Sequence, residues 1–174
     1  MIKYKVGDTV LFKWPGLFSY SFVIGVHNYI HFHENKATHA GIISRIDGDD
    51  VYIHEAIAKW DAKDYQEHKY SKFDLDSYII NNEVIIRRPY LNLKGYEKAC
   101  KGYEDNYYDW LSILLMPFKI SFNTPNLIFC SEVNGRIYYD LSNHKINIAE
   151  EFGISYEKLT PMHLYLTKQL YTVS

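Results

Sequence analysis

The apolar positions of this chain fall in short runs that turn residues interrupt, and the first runs read as strands. After a Gly7-Asp8 turn, Thr9-Val10-Leu11-Phe12 reads as a strand, which Trp14-Pro15-Gly16 breaks. Phe18 to Phe32 is apolar and aromatic without proline and predicts a helix. Thr38 to Ile46 and Val51 to Ile57 predict a β-hairpin around Asp47-Gly48-Asp49-Asp50. Period two puts His39, Gly41, Ile43 and Arg45 on one face of the first hairpin strand. On the return strand Val51, Ile53, Glu55 and Ile57 share one face, and Tyr52, His54 and Ala56 the other. A three-residue loop centred on Gly48 pairs His39 with Ile57 and brings Glu55 to the face of His39. A two-residue Asp47-Gly48 turn pairs His39 with Ala56 and brings His54 there instead. The first register is preferred, because it groups Ile43, Val51, Ile53 and Ile57 on one buried face.

Further along, Trp60 to Lys72 is polar and predicts a loop with a short helix. Glu83 to Arg88 reads as a strand stopped by Pro89, and Leu93 to Tyr108 as a helix with Gly95 and Gly102 near its ends. An apolar stretch, Leu111 to Phe118, precedes a loop at Pro125. Leu127-Ile128-Phe129 then leads into Cys130, and Cys130 to Leu141 predicts a helix weakened by Gly135. Short pieces at Ala149 to Phe152 and Tyr156 to Leu159 are followed by Thr160-Pro161 and a last apolar segment, Leu164 to Tyr171. With no repeat, linker or low-complexity run, the chain predicts a single domain over residues 1–174. Its class is α+β, an antiparallel β-sheet packed against helices.

Composition narrows the function classes. Hydrophobic residues make up 47% and charged residues 23%, which predicts a soluble globular protein with a real core. The 17 tyrosines suit cores and grooves that meet water. A formal net charge of −2 without a basic block argues against general nucleic-acid binding. The N-terminus lacks an apolar signal-peptide core, and the longest apolar segment, Leu111 to Phe118, is interrupted by Ser112 and Pro117. These features predict no membrane span and a cytoplasmic product, or one delivered by another route such as a virus particle. His27 and His31 are spaced to share a helix face and bind a metal. No acidic residue stands where a metallohydrolase helix carries one, and histidines near a helix C-terminus suit its dipole, so no metal or other cofactor is expected.

The candidate chemistry lies in Leu127-Ile128-Phe129-Cys130-Ser131-Glu132-Val133. Such a run delivers a thiol from a buried segment to the first turn of a helix, where partial positive charge and free N–H groups favour thiolate over thiol. A cysteine nucleophile needs a base, and the base works best when a third group fixes its ring. His39 supplies the base and Glu55, on the same hairpin face, the orienting carboxylate. Taken singly, Cys130 reads as a small buried residue, and His39 as an ordinary core or surface histidine. Together, one helix start, one strand and one cross-strand carboxylate supply a Cys-His-Glu hydrolase site. Cys100, in Lys98-Ala99-Cys100-Lys101, lies mid-helix and reads as structural; no CxxC is present, and nothing in the spacing asks for a disulfide.

The ordered set Gly7-Asp8, His39-Ala40-Gly41-Ile42, Glu55-Ala56 and Cys130-Ser131-Glu132-Val133 resembles the circularly permuted branch of the NlpC/P60 superfamily. This is the YiiX/YaeF-like group of papain-fold cysteine hydrolases, and the resemblance runs from about Gly7 to Pro161. It implies a circularly permuted papain-like fold, with Cys130 as nucleophile, His39 as base and Glu55 as the residue that orients His39. Tyr108, in Tyr108-Asp109-Trp110, resembles a tyrosine near the oxyanion pocket of that family, and reads equally as one more packed tyrosine. The resemblance makes Glu132 structural, and Thr160 and Pro161 a border of the cleft; with Trp14 these two are the candidate substrate-binding positions. Two departures bear on substrate preference: Val133-Asn134 follows Glu132 where the family runs CSELV, and His163 stands where an acidic residue is common. The implied activity is that of a cysteine peptidase or amidase (a thiol protease in the broad sense) working through a thioester on peptide substrates such as peptidoglycan peptides. The alternatives are a lipid acyl hydrolase or acyltransferase, for which Phe18 to Phe32 and Leu111 to Phe118 would line an apolar cleft, and a non-catalytic binding or virion-associated module of the same fold.

Overall fold

The computed structural model of the chain describes residues 2–13, 20–56, 65–104, 106–115, 118 and 127–173, with side chains for all of these except 20–22 and 110. Its first half contains β1 (Thr9–Phe12), α1 (Tyr20–Phe32), β2 (His39–Asp47), β3 (Asp50–Ala56), β4 (Tyr65–Ser71), α2 (Lys72–Ile80) and β5 (Val84–Pro89). The second half contains α3 (Tyr96–Lys101), β6 (Tyr107–Tyr108), α4 (Trp110–Leu115), β7 (Leu127–Ile128), α5 (Cys130–Leu141), α6 (Ile148–Glu151), a 3-10 turn at Tyr156–Lys158, α7 (Pro161–Leu166) and β8 (Leu170–Thr172). The class is mixed α+β, as expected. Its main sheet runs β4-β3-β2-β1-β5-β8 with antiparallel neighbours, and β6 and β7 form a separate parallel pair.

Strand alternation divides the core between the two faces of this sheet. Leu11, Ala40, Ile42, Ala56 and Tyr65 face α3 and α5, which bring Tyr96, Cys100, Cys130, Val133, Ile137 and Tyr138. Cys130, Val133, Asn134, Ile137, Tyr138 and Leu141 recur at helical spacing, so α5 presents one face to β2. Burying Val133 and Ile137 there contributes roughly 1.5–3 kcal/mol each. On the opposite face Val10, Phe12, Ile43, Val51, Ile53, Val84 and Ile86 pack with Tyr4 and with Leu75 of α2. Among the described residues no helix is long and apolar enough to cross a membrane.

The hairpin register has two parts. Near the turn, Asp47 pairs with Asp50 around a two-residue Gly48-Asp49 loop, and Arg45 pairs with Tyr52. A bulge at Ser44 then shifts the ladder, so Ile43 pairs with Ile53 and Gly41 with Glu55. The result at the His39 end is the preferred register, reached by a different turn than expected; Ile57 lies outside the described residues. The bulge also corrects the expected face of Arg45. Its guanidinium sits 3.6 Å over the Tyr52 ring, on the side opposite His39.

Two other expectations give way. Residues 65–71, expected as loop, form the edge strand β4, whose polar side chains suit a strand paired on one side only. The helix that follows starts at a Ser71 cap, with Asp74 N donating to Ser71 Oγ at 3.0 Å. The helix expected from Leu93 to Tyr108 is only Tyr96–Lys101, and Tyr107–Tyr108 is a strand beside β7.

Candidate active site

Phe129 and Cys130 are buried, and Cys130 is the first residue of α5. The N-cap is Phe129, whose side chain makes no capping hydrogen bond. Ordinary helix starts carry a Ser, Thr, Asp or Asn here, worth about 1 kcal/mol, so first-turn N–H groups beside the thiol have no cap side chain to accept them. A buried polar ladder fixes this end of the helix. Asn134 Nδ2 donates to the Cys130 carbonyl at 2.8 Å, and Thr9 Oγ1 donates to Asn134 Oδ1 at 3.2 Å. Tyr138 and Thr9 hydroxyls are 2.7 Å apart, and Tyr138 OH also reaches the Gly7 carbonyl at 2.7 Å. Asn134 is thus part of the brace behind Cys130. Ser131 Oγ ties the same turn to the Leu159 carbonyl at 2.7 Å.

His39 opens β2 and pairs across with Phe12 of β1. Its Nε2 donates to Glu55 Oε2 at 2.7 Å, with both side chains at 0% exposure. Gly41 makes this diagonal approach possible. It lies opposite Glu55, and a Cβ there would stand 2.4 Å from Ile53 Cγ2 and 3.2 Å from Glu55 Cβ. Cys130 lies close enough to the ring to act on its charge. Burial opposes the imidazolium, but Cys130 and Glu55 together outweigh it and raise the His39 pKa. One ring is thus bonded to a carboxylate on β3 and influenced by a thiol on α5. Glu55 Oε1 accepts from Tyr70 OH at 2.6 Å.

The other candidates fall around this centre. Tyr108 is buried in β6, opposite Ile128, two residues ahead of Cys130. Asp109 caps α4 by accepting from Ser112 N at 2.9 Å and bonds the Ile128 carbonyl through its own N–H, which ties the tyrosine strand to the cysteine segment. Glu132 is buried and pairs with Arg136 at 2.9 Å, which pairs in turn with Glu157 at 2.7 Å. Burial pushes the Glu132 carboxyl up to about 7 against the pull of Arg136. Thr160 and Pro161 are buried at the start of α7, next to the Leu159 carbonyl that anchors Ser131. Trp14 lies outside the described residues. His163 completes a capping box, its Nδ1 accepting from Thr160 N at 2.9 Å. An acidic residue at this position would accept the same bond. Burial, with His27 adding, pushes the His163 imidazole down to about 4.

The His27 and His31 rings lie tilted to one another with centroids 4.5 Å apart. Among the described residues no group of three or more His, Cys, Asp or Glu is arranged to hold a metal ion. Cys100 and Cys130 are both free thiols. His54, the rival partner for His39, faces the other side of the sheet and bonds Glu104 at 2.8 Å. Tyr70 and Phe12 are the neighbours that sequence reasoning missed. Tyr70 was hidden in a segment whose polarity suggested a loop; the Ser71-Lys72-Phe73-Asp74 capping pattern was the available sign that a helix begins there and that the preceding residues belong to another element.

Comparison of the chain with family models, with curated proteins and with solved structures finds no significant match.

Proposed function

We propose that the protein is a cysteine hydrolase of acyl bonds, with Cys130 as nucleophile, His39 as base and Glu55 as the orienting carboxylate. One observation carries the reading: the His39 ring is hydrogen-bonded to Glu55 and lies close enough to Cys130 for the thiol to act on its charge, with Cys130 at a helix start that its own N-cap side chain leaves open. In this reading the chain follows the permuted papain-like order, histidine strand before cysteine helix. The Cys130 sulfur attacks a carbonyl carbon, and its proton resides on His39. The first-turn N–H groups of α5 stabilise the negative oxygen that forms. His39 then protonates the leaving amine or alcohol as the carbon–nitrogen or carbon–oxygen bond breaks, leaving a thioester. Water, deprotonated by His39, attacks the thioester and restores the thiol.

Amide hydrolysis on short peptides, including peptidoglycan peptides, is the preferred substrate class. A lipid acyl substrate is the second reading, favoured by exposed Tyr29 and Ile30 on α1 and Leu111 and Leu114 on the adjoining α4. Incubation with muropeptides and with a panel of acyl esters, comparing the wild type with Cys130→Ala, tests both. Product formation lost in the variant supports the assignment, and the class of product chooses between substrates. Equal turnover by both proteins overturns it.

A further inference from the structure

We propose that Tyr70 is a positioning residue of this site, a clamp that holds the Glu55 carboxylate in the one orientation that serves His39. The proposal builds on the His39–Glu55–Cys130 reading and concerns a side chain that reading does not use.

A carboxylate at 0% exposure must satisfy both oxygens within the protein, because an unpaired buried acceptor is costly. Glu55 Oε2 is given to His39 at 2.7 Å and Oε1 to the Tyr70 hydroxyl at 2.6 Å. Rotation of the carboxyl about its last bond would break both contacts at once. The rings close the arrangement from the other side. Phe12 lies 5.6 Å from the His39 ring and 6.0 Å from the Tyr70 ring, centroid to centroid. Four neighbouring strands therefore contribute one residue each: Phe12 from β1, His39 from β2, Glu55 from β3 and Tyr70 from β4. The hydrogen bonds run His39–Glu55–Tyr70 and the ring contacts run His39–Phe12–Tyr70, a closed circuit that restrains the imidazole in two directions.

The face of the hairpin that holds Glu55 carries Val51, Ile53 and Ile43, and the cross-strand partner of Glu55 on β4, Gln66, is exposed. His68 shares the β4 face opposite Ile53, between Gln66 and Tyr70. Position 70 thus places the donor, and a phenol is long enough to reach the carboxylate from the level of Val51.

The test reads the hydrogen bond itself. In wild-type protein the His39 Nε2 proton, shared with Glu55, gives a strongly deshielded proton resonance, assigned by its loss in Glu55→Gln. Tyr70→Phe removes one oxygen and keeps the ring against Phe12; the resonance is expected to move upfield and broaden, while the rest of the spectrum keeps its dispersion. In a Glu55→Gln background the further change Tyr70→Phe is expected to alter neither the resonances of His39 nor the alkylation rate of Cys130, because Tyr70 acts through Glu55. A resonance of unchanged position and width in Tyr70→Phe overturns the clamp, as does a further effect in the double variant. If Tyr70→Phe does not fold, 3-fluorotyrosine incorporated at position 70 keeps the packing and alters only the donor; the resonance must then move, and a fixed position overturns the proposal. Iodoacetamide labelling of Cys130 separates the two claims. An inert Cys130 with a responsive resonance rejects the hydrolase and keeps the clamp, whereas a reactive Cys130 with an unresponsive resonance rejects the clamp alone.

Discussion

The central hairpin carries two buried histidines, each bonded through Nε2 to a carboxylate, on opposite faces of the same sheet. His39 pairs with Glu55 at 2.7 Å and His54 with Glu104 at 2.8 Å. Each pair also has a cysteine in its neighbourhood, and both thiols are fully buried. The difference is what the thiol meets. Cys130 stands at the first position of α5, close enough to the His39 ring to raise its pKa. Cys100 lies inside α3, and burial pushes its pKa up to about 12. The carboxylates differ as well. Glu55 is sealed in and clamped by Tyr70, whereas Glu104 is 41% exposed. A carboxylate thus bonds each buried ring, and the proposed chemistry rests on the thiol near His39.

Breaking one histidine at a time gives the largest expected contrast. With p-nitrophenyl acetate as probe, His39→Ala lowers the hydrolysis rate by about 10²–10⁴, the usual range for a general base. His54→Ala leaves the rate within about twofold, and a loss equal to that of His39→Ala would erase the distinction between the faces.

Neutralising the carboxylates sharpens the same contrast in stability. Glu55→Gln leaves a buried histidine without its charge partner and costs roughly 3 kcal/mol in urea unfolding. Glu104→Gln, at a half-exposed carboxylate, costs about 1 kcal/mol or less.

A third histidine responds to pH in the opposite sense. Partners raise His39 in the folded state, so its contribution is full below about pH 6.5 and is lost as pH rises through the folded value. His163 is depressed to about 4 from 6.5, so its contribution is present above about pH 6.5 and lost as pH falls through about 4. Over that acid window it amounts to roughly 3 kcal/mol at most. His163→Gln keeps an acceptor for Thr160 N–H but cannot titrate, and its melting temperature should fall less than that of the wild type between those pH values. Parallel curves for the two proteins would contradict the assignment.

The smallest perturbation is one methyl group. Gly41→Ala drives a Cβ against Ile53 and Glu55 and should cost about 1–3 kcal/mol by overpacking, with the His39–Glu55 contact disturbed. A urea midpoint equal to that of the wild type would show that the hairpin has room to spare.

Much of this site was legible because its parts obey local rules. Period two placed Glu55 with His39, and an apolar run into Cys130 marked the helix start that α5 has. The turn was misread because a bulge at Ser44 compensates a two-residue loop, and no residue pattern announces that compensation. Tyr70 was missed because β4 is an edge strand, where exposure allows polar residues and erases the alternation that identifies a strand. His163 was visible as a departure from an acidic pattern, but its capping role depends on the Thr160 backbone and emerges only in the fold.

Competitive labelling of the two cysteines bears most directly on the central claim. Cys100 and Cys130 are both 0% exposed, so burial alone predicts equal, slow modification by iodoacetamide. Rates for each thiol, read by mass spectrometry at neutral pH in the wild type and in His39→Ala, separate chemistry from access. The account predicts that Cys130 reacts at least about tenfold faster than Cys100 and that His39→Ala removes the advantage. Equal rates at the two thiols, or a Cys130 advantage that survives His39→Ala, would contradict it.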